Sequence, residues 1–263
     1  MNATSQTQAS LVELSIDGQV ATITLNRPEK RNALSLTVVR QLRQHIESLP
    51  DSVRVAILCG RGTHFSAGLD LSELSEATAA EGIQHSMAWY EAFAKIQFGR
   101  VPVICVMQGA VVGGGLELAS SAHVRVAEES AYFGLPEGQR GIFLGGGGSV
   151  RVSKLIGFSR VTEMMLTGHV VNAVEGHAIG LAHYVVPAGE GLAKAQELAL
   201  RIAGNAPLSN FAVMNALPLI AEQPMSHGLM TEALMAAVTQ SAPEAKDRVN
   251  AFLDKRANKI GPA

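Results

Sequence analysis

The sequence predicts an α/β fold that is followed by a wholly helical C-terminal region. Segments rich in branched apolar residues alternate with helical segments through roughly the first 190 residues, and this alternation is typical of an α/β core. From about Gly191 onward, every segment with hydrophobic periodicity has helical spacing. We therefore expect two regions, with residues 1–190 as the core and residues 191–263 as a helical region.

The expected core begins with a β-hairpin. Residues 11–16 and 20–25 alternate between apolar and polar side chains, and Asp17-Gly18 between them is a typical hairpin turn. The patterns that follow predict a helix at 36–49 capped by Ser35, buried strands at 53–59 and 102–107, helices at 75–97 and 113–121, and short strands at 123–126 and 184–187.

The helical region combines four predicted helices with a long stripe of apolar side chains. The helices are expected at 192–202, 207–220, 225–240 and 243–255. Core packing is the ordinary explanation of such a stripe, but so much apolar surface also suggests docking on another subunit. The stripe consists of Phe211, Met214, Leu217, Leu229, Met230, Leu234, Met235 and Val238.

Composition favours a globular enzyme of ordinary charge. The chain has 263 residues, of which 47% are hydrophobic and 17% charged, so a sizeable core is expected. The formal net charge of -2 gives no field that would attract nucleic acid or an anionic membrane. No apolar run reaches the ~18 residues of a membrane span.

The cysteines and the first residues indicate a reducing compartment. Cys59 and Cys105 each lie within an apolar run, where a free cysteine behaves as a small buried hydrophobe. A disulfide framework is not indicated. The first ten residues are polar and lack a hydrophobic signal core, so we expect no secretory leader and a cytoplasmic protein.

Two glutamates stand in surroundings rich in glycine. Glu117 follows Gly113-Gly-Gly, and Glu137 precedes the four-glycine run at 145–148. Two carboxyl groups that a fold brings together share acid and base roles, because like charges held close resist double ionisation. The alternative is that Glu117 is an ordinary carboxylate in the first turn of a helix and Glu137 a solvated loop residue.

Glycine clusters follow two of the buried strands. Gly68 permits a turn that leaves the amide of Leu69 free to point into a cleft. The second strand ends in Gly113-Gly-Gly and a helix, whose first-turn amides are unpaired donors. Two such donors that converge on one oxygen form an oxyanion hole.

Several of these motifs, in this order, resemble those of the crotonase superfamily, the enoyl-CoA hydratases and isomerases. The resemblance runs from about Val20 to the C-terminus. It implies a spiral of ββα turns with a C-terminal helical trimerisation region. The matching segments are Asn26-Arg-Pro-Glu-Lys-Arg-Asn-Ala-Leu34, Phe65-Ser-Ala-Gly-Leu-Asp70, residues 109–117 and Phe133-Gly-Leu-Pro-Glu137.

The resemblance implies roles for individual residues. The amides of Leu69 and Gly114 would hold the thioester oxygen, Glu117 and Glu137 would be the catalytic pair, and the amide of Gly145 would hold the water. Hydratases of the family keep both acidic positions, whereas many other members keep one or neither. Candidate contacts with coenzyme A are Arg27, Lys30, Ala67, Asp70, Phe252 and Lys255.

Some of these candidates also have an ordinary structural explanation. Arg27, Lys30 and Arg31 form a basic loop that is either a phosphate contact or simply solvated. Asp70 is suited to fixing its own turn. His123 opens an apparent strand, which favours a structural role.

The segment around Glu137 resembles one subgroup in particular. Residues 135–149 are most similar to methylthioacryloyl-CoA hydratases, which act in dimethylsulfoniopropionate breakdown. Phe143-Leu144 stands where many hydratases have Ile-Pro. Bulky side chains there would close the acyl pocket to long chains, although they could also simply fill core space.

The expected reaction is therefore the addition of water to a short-chain enoyl-CoA, by a trimer or dimer of trimers. A double-bond isomerase that uses one glutamate is an alternative, and a catalytically silent scaffold or RNA-binding homologue is another. No His-Glu-x-x-His, Gly-x-Ser-x-Gly, Rossmann or Walker motif occurs. We expect no metal and no cofactor, since coenzyme A is part of the substrate.

Overall fold

The computed structural model describes residues 10–73 and 78–254. The chain forms two compact units, an N-terminal unit that ends at Ala203 and a C-terminal unit that starts at Gly204. The α/β class predicted for the core is confirmed by the N-terminal unit. Lys255, one of the candidate coenzyme A contacts, lies outside the described residues.

Within the described residues of the N-terminal unit, nine strands form two sheets. The larger sheet has the order β1-β2-β3-β4-β6-β9 and the smaller sheet the order β5-β7-β8. The strands are β1 (Val12–Asp17), β2 (Val20–Leu25), β3 (Val55–Gly60), β4 (Val103–Met107), β5 (Ala110–Val112), β6 (Val124–Glu128), β7 (Tyr132–Gly134), β8 (Val171–Asn172) and β9 (Tyr184–Val186).

The larger sheet begins with the predicted hairpin and continues with parallel strands. Strands β1 and β2 are antiparallel around Gly18, which has a φ of 55°, a left-handed conformation that suits glycine. From β2 onward, each neighbouring pair in this sheet is parallel. Strands β3 and β4 are buried along nearly their whole length, as parallel strands covered on both faces should be.

Eleven α-helices accompany the strands in the described part of the chain. They are α1 (Leu36–Glu47), α2 (Ala79–Gln97), α3 (Gly114–Ala119), α4 (Gly148–Ile156), α5 (Phe158–Thr167), α6 (Ala173–Ile179), α7 (Gly191–Ala203), α8 (Pro207–Phe211), α9 (Leu217–Glu222), α10 (Met225–Ser241) and α11 (Pro243–Leu253).

Successive turns of the chain follow one pattern in the N-terminal unit. A strand of the larger sheet is followed by a short strand of the smaller sheet and then by a helix. Strands β4 and β5 with α3 form one such turn, and β6 and β7 with α4 form the next. This is the ββα spiral that the resemblance implies. Residues from the two turns meet where the amides of Gly146 and Gly148, at the start of α4, bond to Glu117 of α3.

The helices α1 and α2 each begin directly after a capping residue, of which Ser35 was predicted. The Ser35 hydroxyl accepts a hydrogen bond from the amide of Val38, which satisfies one free donor of α1. Thr78 and Glu81 form a reciprocal capping box at the start of α2. Helix α2 therefore begins at Ala79, four residues later than the apolar pattern predicts.

Helix α7 belongs to the N-terminal unit, although the sequence-based division groups it with the later helices. Its buried face packs against β3, β4 and β6 in a second apolar cluster. This cluster includes Ala195, Leu198 and Ala199 of the helix together with Val55 and Ile104 of the sheet. The sequence gives the amphipathic period of α7 but not the surface that it covers.

The C-terminal unit is wholly helical in its described residues, as predicted. The single helix expected at 207–220 is interrupted by a π-helical turn at Ala212–Ala216. Pro218 explains the interruption, because it lacks an amide donor and its ring would clash with the carbonyl of Met214 in a regular α-helix. No helix among the described residues is long and apolar enough to cross a membrane.

Candidate active site

Glu117 lies in the short helix α3, which starts directly after the smaller sheet. Gly113 precedes the helix with a φ of 52°, a left-handed conformation that favours glycine. The helix buries all six of its residues, and Glu117 is only 3% exposed. A carboxylate at such a depth needs hydrogen-bond donors.

Those donors come from the glycine run, the four glycines at 145–148. The amides of Gly146 and Gly148 each donate a 2.8 Å hydrogen bond to Glu117 Oε1. Gly147 between them has a φ of 94°, which lets both neighbouring amides face one oxygen. A Cβ at Gly148 would lie 2.6 Å from Glu117 Cγ. The glycine run therefore allows the backbone to reach the carboxylate directly.

Burial raises the pKa of Glu117, since the charged form loses its hydration. The two amide hydrogen bonds and the positive charge of Arg151 act in the opposite direction and favour the carboxylate. Glu117 is thus a buried group with specific support for its ionised form.

Glu137 follows β7 after Leu135-Pro136 and is the N-cap residue of a 3₁₀ turn formed by Gly138–Arg140. It is 7% exposed, and its Oε2 has no hydrogen-bond partner among the described residues. A Cβ at Gly113 would lie 2.6 Å from Glu137 Oε1, so this glycine leaves room for the second carboxyl group.

The environment of Glu137 favours the protonated acid. The pKa of Glu137 is raised to about 7 from its usual 4.5. Burial is the larger cause, and the nearby charge of Glu117 is a smaller one. The two glutamates therefore line the same cavity but differ in their hydrogen-bond donors. Glu117 has two amide donors, whereas Glu137 has an oxygen without a donor.

The two predicted oxyanion amides lie side by side. Gly68 has a φ of 91°, and a Cβ there would lie 2.6 Å from the carbonyl oxygen of Val112. A Cβ at Gly114 would lie 3.3 Å from the nitrogen of Leu69. Neither the Leu69 nor the Gly114 amide donates to a protein acceptor in the part of the chain that the structure describes. Both residues line the same cavity, with their amide donors free of backbone acceptors among the described residues.

A cavity of about 560 Å³ connects these groups. The volume lies within the usual range of small-molecule sites. Predicted residues on its surface are Leu69, Gly114, Glu117, Glu137, Phe143 and Gly145, and further residues are Leu36, Arg40, Glu81, Gly82, Gln84, His85, Ser86, Ala88, Trp89, Ile142 and Gly146.

The face of α2 was not predicted as part of the site. Trp89 is 3% exposed, stacks on His85 with ring centroids 5.7 Å apart, and packs against Gly114 and Gly146. A Cβ at Gly145 would lie 3.2 Å from the Ser86 hydroxyl. The one available signal was that Trp89 is the sole tryptophan. The packing that brings α2 to the glycines is tertiary and has no local motif.

Phe143 and Leu144 lie in different environments. Phe143 lines the cavity and is 70% exposed, whereas Leu144 is 7% exposed and belongs to the apolar core. Leu144 therefore fills core space, whereas the effect of Phe143 on the acyl pocket stays a prediction.

Three of the candidate coenzyme A contacts form an ion-pair cluster. Arg27 Nη2 lies 3.0 Å from Asp70 Oδ2, and Lys30 Nζ lies 3.4 Å from the same oxygen. The other Asp70 oxygen accepts from the Ser72 hydroxyl at 2.6 Å, and these contacts hold the pKa of Asp70 well below its usual range. Asp70 thus fixes its own turn, and the half-exposed Lys30 stays accessible.

Ala67 and Phe252 are the other candidates that the structure describes. The Ala67 amide donates to the carbonyl of Arg31 at 2.9 Å. Phe252 lies in α11 of the C-terminal unit and is 57% exposed. His123 has the structural role expected of it. One ring nitrogen accepts from the Val103 amide, and the other lies 3.0 Å from the carbonyl of Gln97.

The two cysteines are free and buried, as their apolar surroundings predict. Desolvation raises the pKa of both thiols, which keeps them protonated and unreactive. Among residues 10–73 and 78–254, no group of three His, Cys, Asp or Glu side chains is placed to hold a metal ion.

The arrangement is suited to acid and base chemistry next to a polarised carbonyl group. Two backbone amides can stabilise negative charge on an oxygen, and two buried carboxyl groups can exchange protons with a water.

Comparisons with known proteins match this chemistry. Residues 15–261 match the family model described as enoyl-CoA hydratase/isomerase. The short-chain-enoyl-CoA hydratase of Clostridium acetobutylicum is 32% identical over 248 residues, covering 93% of this chain and 95% of the relative.

Solved structures are similar as well. A Rhodopseudomonas palustris protein, provisionally described as an enoyl-CoA hydratase, is 54% identical with a TM-score of 0.92, over 94% of this chain and 96% of that one. A Thermobifida fusca protein with the same provisional description, solved in complex with CoA, is 25% identical with a TM-score of 0.82. That match covers 88% of this chain and 93% of the other.

Proposed function

Because this chain belongs to the enoyl-CoA hydratase/isomerase family and is a hydro-lyase of the crotonase type, we propose that it adds water across the α,β double bond of a short-chain enoyl-CoA. The observation that supports hydration most directly is the pair of buried glutamates, Glu117 and Glu137, on one cavity. An isomerase needs only one of them. The net charge of -2 and the intact glutamate pair argue against a catalytically silent scaffold or RNA-binding homologue.

The amides of Leu69 and Gly114 would bind the thioester oxygen. Negative charge develops on that oxygen when water attacks the β-carbon, and the enolate-like state that forms is stabilised by both donors. Removing one donor of this kind costs ~10²–10³ in rate. The adjacent amides and the left-handed turn at Gly68 support this assignment.

Glu117, in its ionised form, would orient the water and accept a proton from it, with the Gly145 amide as a further contact for that water. Glu137, in its acid form, would deliver a proton to the α-carbon. The two hydrogen bonds to Glu117 and the raised pKa of Glu137 support this division of roles. The product gains one proton and one hydroxide, so the pair returns to its starting state after proton exchange with solvent.

For the substrate, we propose a short acyl group and, specifically, 3-(methylthio)acryloyl-CoA. Water added to its β-carbon gives a hemithioacetal, which collapses to an aldehyde and methanethiol. Hydrolysis of the thioester in the same site would be a separate step. The similarity of residues 135–149 to that subgroup and the position of Phe143 on the cavity support this proposal.

Loss of the ultraviolet absorbance of crotonyl-CoA tests the hydration directly. A panel of crotonyl-, decenoyl- and methylthioacryloyl-CoA then tests the substrate, with methanethiol measured for the last. Migration of the double bond without water addition would favour the isomerase. Efficient hydration of decenoyl-CoA without release of methanethiol would refute the subgroup assignment.

Further parts of the proposal concern binding and assembly. Arg27, Lys30, Ala67, Asp70, Phe252 and Lys255 are proposed contacts for coenzyme A, and the enzyme is proposed to be a trimer or a dimer of trimers. The chemistry proposed here uses amides and carboxyl groups alone, so no metal or redox cofactor is required. The two buried, unpaired thiols are consistent with a cytoplasmic protein.

A further inference from the structure

Arg151 of α4 lies behind the glycine run. Its Nη1 donates a 3.1 Å hydrogen bond to the carbonyl of Gly146, and its Nε donates a 2.7 Å hydrogen bond to Gln97 Oε1 at the end of α2. Gly146 also donates its amide to Glu117. The same residue of the loop is therefore held by Arg151 on one side and by Glu117 on the other.

Gly147 allows the guanidinium group to come this close. A Cβ at Gly147 would lie 2.3 Å from Arg151 Nη1, and the φ of 94° is itself rare for other residues. The glycines of the run thus serve different contacts. Gly146 and Gly148 leave room for Glu117, and Gly147 leaves room for Arg151.

We propose that Arg151 is a positioning residue that sets the glycine run for Glu117. It would hold the Gly146 carbonyl so that the amides of Gly146 and Gly148 point at one carboxylate oxygen. It would also place a positive charge behind that carboxylate. This inference rests on the proposed function for its effect on turnover, but its effect on Glu117 is measurable without turnover.

The chemistry of the side chain suits this role. Guanidinium is planar and stays charged when partly buried, and it can bind two acceptors in a fixed arrangement. The charged and titratable groups that face Arg151 are Glu117 and Tyr90, and Gln97 is neutral. Glu137 is the other group that faces Glu117. The positive charge of Arg151 therefore opposes the repulsion between the two carboxyl groups.

The alternative is that Arg151 only stabilises the start of α4. Four variants separate the two roles. Arg151→Lys keeps the charge but loses the two-acceptor geometry, and Arg151→Gln loses the charge. Gln97→Met leaves Arg151 in place without its orienting acceptor. Arg100→Gln is the matched control, because Arg100 also binds backbone carbonyls, those of Leu49, Pro50 and Val53, away from the cavity.

Turnover of crotonyl-CoA is the first measurement. We expect Arg151→Gln to lower kcat about 10–100-fold, the usual effect of losing a partner that orients a reacting group, with little change in KM. In the pH profile of kcat for Arg151→Gln, we expect the acid limb to move to higher pH. The loss of the nearby positive charge should raise the pKa of Glu117. Arg151→Lys and Gln97→Met should lower kcat without moving that limb, and Arg100→Gln should change neither.

Carbon-13 NMR of the glutamate side-chain carboxyl groups is the second measurement, with Glu117→Gln to assign the signal. The titration midpoint of Glu117 should rise in Arg151→Gln relative to the unchanged protein. A rise in that midpoint without any hydratase activity in the unchanged protein would support the positioning role and refute the proposed function.

An unchanged kcat and an unchanged Glu117 midpoint in Arg151→Gln would overturn the inference. A fall in thermal stability with normal kcat per folded active site would likewise leave only a structural role. If Arg151→Gln does not fold, Arg151→Lys and Gln97→Met decide the matter, and normal kcat in both would overturn it.

Discussion

Glu117 accepts a 2.8 Å hydrogen bond from the amide of Gly146, although the two residues are 29 positions apart in the chain. The contact joins one turn of the ββα spiral to the next. It fixes one carboxylate oxygen, Oε1, of a residue that lines the cavity. The geometry of Glu117 therefore depends on packing between turns.

The first prediction concerns the two carboxyl groups themselves. We expect Glu117→Gln and Glu137→Gln each to lower hydration of crotonyl-CoA by ~10²–10⁴-fold, because each removes a group that exchanges a proton with the reacting atoms. Binding of coenzyme A, measured by calorimetry, should change little.

Glu81→Gln is the matched control for this pair. Glu81 lines the same cavity but serves the capping box of α2, a role that glutamine also fills. Near-normal turnover in either Glu117→Gln or Glu137→Gln would contradict the two-carboxylate mechanism.

The second prediction concerns stability and pH. The folded-state pKa of Glu137, about 7, lies above its usual 4.5, so the folded protein favours the acid form. Its contribution to stability is present below pH ~4.5 and is lost as the pH rises through ~7. The shift corresponds to about 3 kcal/mol in the free energy of unfolding.

Glu137→Gln lacks this titration. Urea unfolding at pH 4.5 to 8 and one protein concentration should show the variant gaining stability relative to the unchanged protein as the pH rises. A difference between the two proteins that stays constant across this range would show that Glu137 is not a raised-pKa acid.

The third prediction tests the glycine run. A Cβ at Gly146 would lie 2.9 Å from Trp89 Cε3 and 3.0 Å from Glu117 Oε2. We expect Gly146→Ala to lower the free energy of unfolding by about 1–3 kcal/mol, because the added methyl group overpacks the site. We also expect it to lower kcat per folded active site, because the methyl group displaces the Glu117 carboxylate. Gly134→Ala is the control, since its Cβ would meet only Val170 and Val112 at 3.8 and 4.0 Å. Equal behaviour of the two variants would argue against close packing at Gly146.

The fourth prediction concerns chain length. Phe143 lines the cavity while Leu144 is buried in the core, so Phe143→Ala should enlarge the acyl pocket. We expect kcat/KM for decenoyl-CoA to rise relative to crotonyl-CoA by about tenfold or more, since each extra buried methylene gains ~0.8 kcal/mol. Phe98→Ala, at an exposed phenylalanine outside the cavity lining, should leave the ratio unchanged. An unchanged ratio in Phe143→Ala would show that another group limits the acyl chain.

The fifth prediction concerns assembly. In the C-terminal unit Met214 is buried, but Leu217, Leu229, Met230 and Leu234 are each more than half exposed. This is more apolar surface than a single chain usually exposes to water. Light scattering at micromolar concentration should show a trimer or hexamer with no stable monomer, and a monodisperse, active monomer would contradict the prediction.

The longer elements of the fold could be predicted from the sequence because their patterns are local. The hairpin of β1 and β2, the capped helix α1 and the buried strands β3 and β4 each have a clear period or cap. The short strands β5, β7 and β8 have two or three residues each, too few to show a period. The helices α4, α5 and α6 were missed as well, in part because α4 starts within a glycine run that otherwise indicates a loop.

The candidate site could be predicted only where chemistry coincides with a motif. Glu117, Glu137 and the amide of Leu69 stand next to glycines whose positions are visible in the sequence. Trp89 has no such neighbours, and Arg151 follows the glycine run without a motif that marks its role. Their contacts with the glycines and with Gln97 arise only when the helices pack together. Arg27, a predicted coenzyme A contact, shows that a visible motif does not reveal the partners of its side chains. A basic loop in the sequence did not reveal that its guanidinium group pairs with Asp70.

The link between Glu117 and the glycine run has a consequence for synthesis on the ribosome. Residues emerge in order, so α3 leaves the exit tunnel before Gly146 and Gly148, the two donors for its carboxylate. A nascent chain that stops before Gly148 would bury Glu117 only at a high cost in desolvation. We therefore expect this layer of the spiral to fold late, and truncated chains to remain open to quality-control proteases.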